Sequence, residues 1–318
     1  MIDESRINPN LDRLKDHFDH AVAKYFDGDK PREEFFEEVR CYNCRSSETS
    51  TIFTVNRFRH VRCRDCGMVY VNPRLREEIT HALYQEEPYT EFYRIKLIPS
   101  IDYRRNVLGV RKYHELAAHF DRPGRVLDIG CGLGEILSVF REHGWDCTGI
   151  EFNPFAAGYA QRQFGLHVIN KSIYDFDATD HYDLIMLWGV LEHFYDPNKI
   201  LHKIHSLLEE SGRLLIEVPS ADSLLVRYYE RTQQPVDRII EGDRHIMLFS
   251  VRSLSEMLAG AGFSPVNIRA NGLDVATLNR LEMNGVLDLE SVNTLQGLID
   301  TSLQGDLLRG VFAQERPE

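Results

Sequence analysis

The chain has 318 residues, 43% of them apolar, enough to bury the core of one large domain or two smaller ones. A net charge of −12 with 27% charged residues argues for solubility and against a bulk electrostatic grip on nucleic acid or an anionic membrane. With no apolar run of 18 residues, no signal-peptide pattern at Met1–Arg6 and only six cysteines, we expect a cytoplasmic protein without a membrane span or a disulfide scaffold.

Residues 10–26 place Leu11, Leu14, Phe18, Val22 and Tyr25 at helical spacing. This amphipathic helix would pack on the chain itself or on a second copy in a homodimer. Next comes Cys41-x2-Cys44, 18 residues, then Cys63-x2-Cys66. Four thiolates at this spacing can close a tetrahedron around zinc, with Gly67 suited to the tight turn of a knuckle. The metal would be structural, because four cysteines leave no open position for a substrate. A local basic cluster, Arg57, Arg59, His60, Arg62 and Arg64, lies inside this unit. Residues 73–100 are rich in tyrosine and proline and read as a linker with short helices, followed by helical patterning over 101–120 and a loop at Asp121–Gly124.

From 125 onward strand and helix alternate. Strands are expected at 125–130, 146–151, 166–169, 182–188, 212–218, 264–269 and 308–314, and helices at 133–143, 154–164, 197–209 and 251–261. Such alternation predicts a Rossmann-like α/β fold, a mostly parallel seven-stranded sheet covered on both faces. We divide the chain into a helical segment (1–35), a zinc ribbon (36–75), a linker with helices (76–120) and an α/β domain (121–318) carrying insertions at 219–248 and 270–307. Long excursions beyond strand ends usually shape substrate sites or contacts with other chains.

The segment Arg125-Val-Leu-Asp-Ile-Gly-Cys-Gly-Leu-Gly134 ends a strand in alternating glycines and opens a helix. Such a turn lets backbone approach a ligand closely at the helix N-terminus. A dinucleotide fingerprint would need glycine at 135, which is Glu135, and no P-loop Gly-Lys-Ser/Thr follows. The next apolar run ends at Glu151, 17 residues after Gly134, where an acid can hold ribose hydroxyls.

Asp128-x-Gly130-x-Gly132-x-Gly134 resembles motif I of the class I S-adenosylmethionine-dependent methyltransferases, and the resemblance runs over about residues 103–314. It implies that Asp128, Gly130, Cys131, Gly132 and Gly134 hold the methionine end of the cofactor. Glu151 would take the ribose, with Phe152 and Asn153 beside it. Ser172 stands where the family often has an adenine-binding acid, and Ile173 would pack on the ring. Trp188-Gly189-Val190-Leu191-Glu192-His193 resembles the segment whose backbone lines the cofactor. A metal-binding variant of that segment has E-x-x-E-H, but Gly189 occupies the first acid's place, so no catalytic metal is expected. Asp243-Arg-His245-x3-Phe249-Ser250 resembles a segment of small-molecule methyltransferases, including ubiquinone O-methyltransferases, that returns to the pocket rim. His193 and His245 are the two candidates for a general base. Tyr89, Tyr93 and Arg104 are candidates to close over the cofactor.

A four-cysteine ribbon, this core and the DRH…F segment together resemble sugar methyltransferases of glycan and natural-product pathways. The leading expectation is methyl transfer to a small molecule, with oxygen ahead of carbon as acceptor atom. The alternatives are an RNA or protein methyltransferase that reads its substrate with the ribbon, and a non-catalytic interaction protein. Net charge counts against nucleic acid, and the intact loop and Glu151 count against the non-catalytic reading.

Overall fold

The computed structural model describes residues 2–7, 9, 20–85, 87–177, 180–234 and 238–315. Leu11, Leu14 and Phe18 of the expected first helix lie outside the described residues. Three strands follow early in the chain: β1 (Thr49–Val55), β2 (Phe58–Cys63) and β3 (Val69–Val71). Helices α1 (Glu77–Gln85) and α2 (Val110–Ala117) flank a run of short helical turns. The alternating region then gives β4 (Arg125–Ile129), α3 (Glu135–Glu142), β5 (Asp146–Ile150), α4 (Pro154–Phe164), β6 (His167–Ile169) and β7 (Tyr182–Trp188). It continues with α5 (Pro197–Leu207), β8 (Leu208–Pro219), α6 (Leu224–Thr232), β9 (Met247–Leu248), α7 (Val251–Gly260) and β10 (Phe263–Asn271). Two helices, α8 (Asp274–Glu282) and α9 (Leu289–Thr301), precede the last strand, β11 (Leu307–Gln314).

Seven strands form one sheet in the order β6-β5-β4-β7-β8-β11-β10. The first five run parallel, and β11 lies antiparallel between β8 and β10. Alternate residues of β7 supply both faces. Ile185 and Leu187 join one buried cluster, Leu184 and Met186 the other. A central parallel strand is buried on both sides, so its sequence is apolar without a break from Leu184 to Trp188. Strand order reverses between β4 and β7, and such a switch point leaves a crevice at the carboxyl edge.

Residues 36–75 do not close a sheet of their own. The second sheet has the order β9-β3-β2-β1, and β9 comes from the end of the 219–248 insertion. Met247 pairs with Tyr70 and Leu248 with Val69. The buried cluster that contains Ile185 and Leu214 also holds Val61, Met68 and Tyr70. The fully buried His60 of β2 reaches the Glu241 carbonyl with Nε2 at 2.5 Å. The small unit and the α/β domain are therefore one packed body, and it is the 219–248 excursion that joins them.

Gly242 measures the closeness of that junction, because a Cβ there would overlap the Phe58 side chain. Gly242→Ala should cost about 1–3 kcal/mol through overpacking. Gly260, with nothing within 4 Å of an added Cβ, should accept alanine at no cost. Urea unfolding of both variants checks the contrast.

Candidate active site

The glycine loop lies at the carboxyl end of β4. Gly130, Gly132 and Gly134 have φ of 70°, 56° and 80°, the left-handed region that favours glycine. Two of them also have no room for a side chain. A Cβ at 130 would sit 2.7 Å from Val190, and one at 134 would sit 2.6 Å from Leu166. Gly132 is different. Its Cβ direction is open as far as the Tyr93 ring at 4.0 Å, so this glycine faces the crevice. Cys131 is buried between Gly149 and the loop.

Glu151 follows β5. One carboxylate oxygen accepts the Gly132 N–H at 2.9 Å and the other accepts the Asn153 N–H at 2.7 Å. Asn153 caps α4 through Ala156 N and donates from Nδ2 to the Tyr84 carbonyl at 2.9 Å. Phe152 lies beside His81, with ring centroids 5.6 Å apart. Ser172 caps a short 3-10 turn, and Ile173 is buried in the core cluster. Gly189 donates its N–H to the Glu217 carbonyl at 2.9 Å. Trp188 carries the Lys112 ammonium 3.9 Å above its ring, and its indole N–H has no partner among the described residues.

Three carboxyl groups, Asp128, Glu135 and Glu151, are buried around this loop. Asp128 Oδ1 has no hydrogen-bond partner among the described residues. Burial, and after it the nearby Glu135, lifts the Asp128 carboxyl well above the ordinary range. A site of this kind suits a ligand bearing an ammonium and a sulfonium, which would satisfy the orphaned oxygen. It would repel the diphosphate of a dinucleotide. The residues present thus fit S-adenosylmethionine. Over the loop lies Tyr93 from the 77–97 segment, and Tyr84 and Tyr89 of the same segment pack together with ring centroids 4.1 Å apart.

His193 follows β7, and His245 comes just before β9. The structure brings them together, with ring centroids 5.0 Å apart. Between them stands Glu192, 1% exposed, its Oε1 4.0 Å from His193 Nε2 and 3.8 Å from His245 Nε2. His193 Nδ1 meets the Arg244 carbonyl and the Tyr84 hydroxyl, each at 2.8 Å. His245 Nδ1 meets the Ile239 carbonyl at 2.7 Å. A carbonyl only accepts, so both Nδ1 atoms carry hydrogen and both Nε2 lone pairs face Glu192. The three ligand atoms lie within 4.8 Å of one another, a span that a shared proton or a divalent cation can bridge. Burial, followed by the charge of His245, pushes His193 down to about 3. Burial also lifts Glu192 well above the carboxylate range. The N-cap of α7 is Ser250, which leaves His245 free of that duty. Tyr84 gave no sign in sequence beyond the tyrosine richness of its segment, whereas Glu192 could be read from its place beside His193 as a group that orients it or caps.

The four thiols of Cys41, Cys44, Cys63 and Cys66 converge within 4.8 Å. The Cys41–Cys66 and Cys44–Cys63 sulfurs are 3.5 and 3.4 Å apart, close to the ~3.8 Å between sulfurs at the corners of a zinc tetrahedron. Both knuckles turn through a left-handed residue, Arg45 (φ 60°) and Gly67 (φ 78°). Their N–H groups return to Cys41 O at 3.0 Å and Cys63 O at 3.1 Å.

Residues 101–268 match the model of a methyltransferase-domain family, a stretch longer than half the chain. The chain belongs to that methyltransferase-domain family. It is 29% identical over 166 residues to a tRNA U34 carboxymethyltransferase of Sulfurovum sp., covering 49% of this chain and 54% of that protein. It is also 29% identical over 103 residues to a ubiquinone biosynthesis O-methyltransferase of Aeromonas salmonicida, covering 29% and 42%. The chain thus spans about half the length of these relatives. The fold is similar to that of 1,6-didemethyltoxoflavin-N1-methyltransferase of Burkholderia thailandensis, with a TM-score of 0.52, 20% identity and coverage of 85% of this chain and all of that one.

Calorimetry tests the cofactor residues. Wild type should bind S-adenosylmethionine at micromolar concentration or tighter. Glu151→Ala should lose about 1.5–3 kcal/mol, the worth of charged hydrogen bonds to two hydroxyls. Unchanged binding by the variant would remove Glu151 from the site.

Proposed function

We propose that this protein transfers a methyl group from S-adenosylmethionine to a small-molecule hydroxyl, with the His193–His245 pair receiving the proton. The convergence of two histidines from separate segments on one buried carboxyl, each with its Nε2 lone pair kept free, carries this reading. When bound, the cofactor supplies an activated methyl carbon. Asp128 and Glu151 would anchor it, and the tyrosines of 77–97 would exclude water. Much of the acceleration would then come from alignment.

The remaining chemistry belongs to the chain. As the acceptor oxygen gains the methyl, its proton passes to a histidine Nε2. The resulting imidazolium lies within about 4 Å of Glu192 Oε1. Tyr84 and the Arg244 carbonyl hold the His193 ring by its other nitrogen. Burial keeps the His193 ring unprotonated at neutral pH and at the same time weakens it as a proton acceptor.

The four thiols would hold one structural zinc, a reading that suits a reducing, cytoplasmic compartment. The site should supply folding energy to residues around it. Through β3 and β9 it would also steady the stretch that carries His245.

The relatives named for tRNA raise a second reading, in which RNA is the acceptor. The charge of −12 supports a small molecule instead. Incubation with methyl-labelled cofactor, tRNA and small-molecule pools separates the two, and label in tRNA would overturn the first.

His193→Ala or His245→Ala should slow turnover by ~10²–10⁴ and leave cofactor affinity unchanged. With His193 as base, the acid limb of the rate should lie well below the ordinary imidazole value of ~6.5, because only a protonated ring is inactive and burial delays its protonation. Elemental analysis should find about one zinc per chain, and Cys63→Ser should lose the metal and unfold more readily. Cysteines recovered as disulfides without metal would refute the zinc.

A further inference from the structure

Beside Trp188, on the side of the crevice away from β4, lies a cavity of about 180 Å3. Six cationic side chains line it: Lys96, Arg104, Arg111, Lys112, Arg238 and Arg309. Among the described residues, the single carboxylate in its wall is Glu217. Carboxylates answer four of these cations. Lys112 and Arg309 share Glu217, Arg309 also reaches Glu115, Arg111 pairs with Glu115, and Arg238 with Asp306. Lys96 and Arg104 form no ion pair with a described residue. Arg104 donates only to Ser100 Oγ at 2.9 Å and to the Ile7 carbonyl at 3.1 Å, and the Lys96 ammonium stands 5.3 Å from the Phe92 ring centroid.

Partly buried cations that form no ion pair are costly, and proteins keep them where a ligand supplies the charge. Burial, and then the charge of Arg104, pushes Lys96 down to about 7. Burial depresses Arg104 and Lys112 as well. Both directions reverse once an anion enters.

The cavity is also in the right place. Lys112 stands over Trp188, and Trp188 pairs in register with Glu217, so the cations border the strand tip that carries Gly189. The crevice is therefore divided by charge. Asp128, Glu135 and Glu151 surround the glycine loop, and the cations surround the space past Trp188.

We propose that this cavity binds a phosphate or diphosphate group of the acceptor, so that the enzyme methylates a phosphorylated small molecule. The proposal rests on the small-molecule methyltransferase reading above. Two unanswered cations suit a dianion, and planar guanidinium forks match phosphate oxygens.

The test uses the full chain saturated with S-adenosylhomocysteine, whose own binding is measured first. If that binding fails, the methyltransferase reading fails with it. If it succeeds, inorganic pyrophosphate is titrated by calorimetry at fixed ionic strength. Pyrophosphate should bind, and Lys96→Gln and Arg104→Gln should each weaken it tenfold or more, with S-adenosylhomocysteine affinity unchanged in Lys96→Gln. Both variants should melt at or above the wild-type temperature, since each removes a half-buried charge that forms no ion pair. No pyrophosphate binding, or binding indifferent to both variants, would overturn the proposal. So would malonate binding as tightly as pyrophosphate, which would make the partner a carboxylate, or tRNA displacing pyrophosphate at equal phosphate concentration, which would make it RNA.

Discussion

The site depends on how closely two strand tips approach. Val126, Leu127 and Asp128 of β4 pair in register with Leu184, Ile185 and Met186 of β7. Beyond that ladder the chain turns at Gly130 on one side and at Gly189 on the other, and a Cβ at 130 would run into Val190. A side chain there would push the tips apart. The glycine loop, the orphaned Asp128 oxygen and the Glu192–His193 turn all keep their positions through this contact. The parallel sheet supplies the rest, since strand ends of one direction all open on one edge.

The segment 238–250 is the second organising element. It carries the Glu241 carbonyl to His60, the Arg244 carbonyl to His193, and His245 to Glu192, and then becomes β9. In about a dozen residues it therefore binds the four-cysteine unit, orients one histidine and delivers another. The unit is tied to the site through backbone hydrogen bonds and a shared core, so its folding and the geometry of the histidines are coupled. Ser250 extends the tie, capping α7 while donating to the Cys66 carbonyl at 2.8 Å.

Charge gives the crevice direction. Glu217 sits where the two halves meet. Burial alone would raise its carboxyl, but Arg309 and Lys112 outweigh burial and hold it down to about 2. It stays an anion throughout the neutral range and keeps Lys112 fixed over Trp188. The acids around the glycine loop and the cations past Trp188 then offer a cationic cofactor and an anionic acceptor separate places on either side of the β7 tip.

Much of this was legible in the residues themselves. Apolar periodicity located all seven strands of the main sheet, with β8 and β10 longer than expected, at Leu208–Pro219 and Phe263–Asn271. Alternating glycines and a following acid marked the loop, and C-x2-C spacing marked the thiols, because in each case the chemistry needs neighbours within a few residues or one repeated knuckle. His193 and His245 could be named singly from their positions at strand ends. Their meeting could not, nor could the contacts of His193 with Tyr84 and the Arg244 carbonyl, since these partners lie 109 and 51 positions away along the chain. The same holds for the cavity that gathers Lys96, Arg238 and Arg309. Periodicity reports which face of an element is buried, and short motifs report local backbone needs. Which elements then approach one another, and which charges are left without an answer, is decided by packing alone.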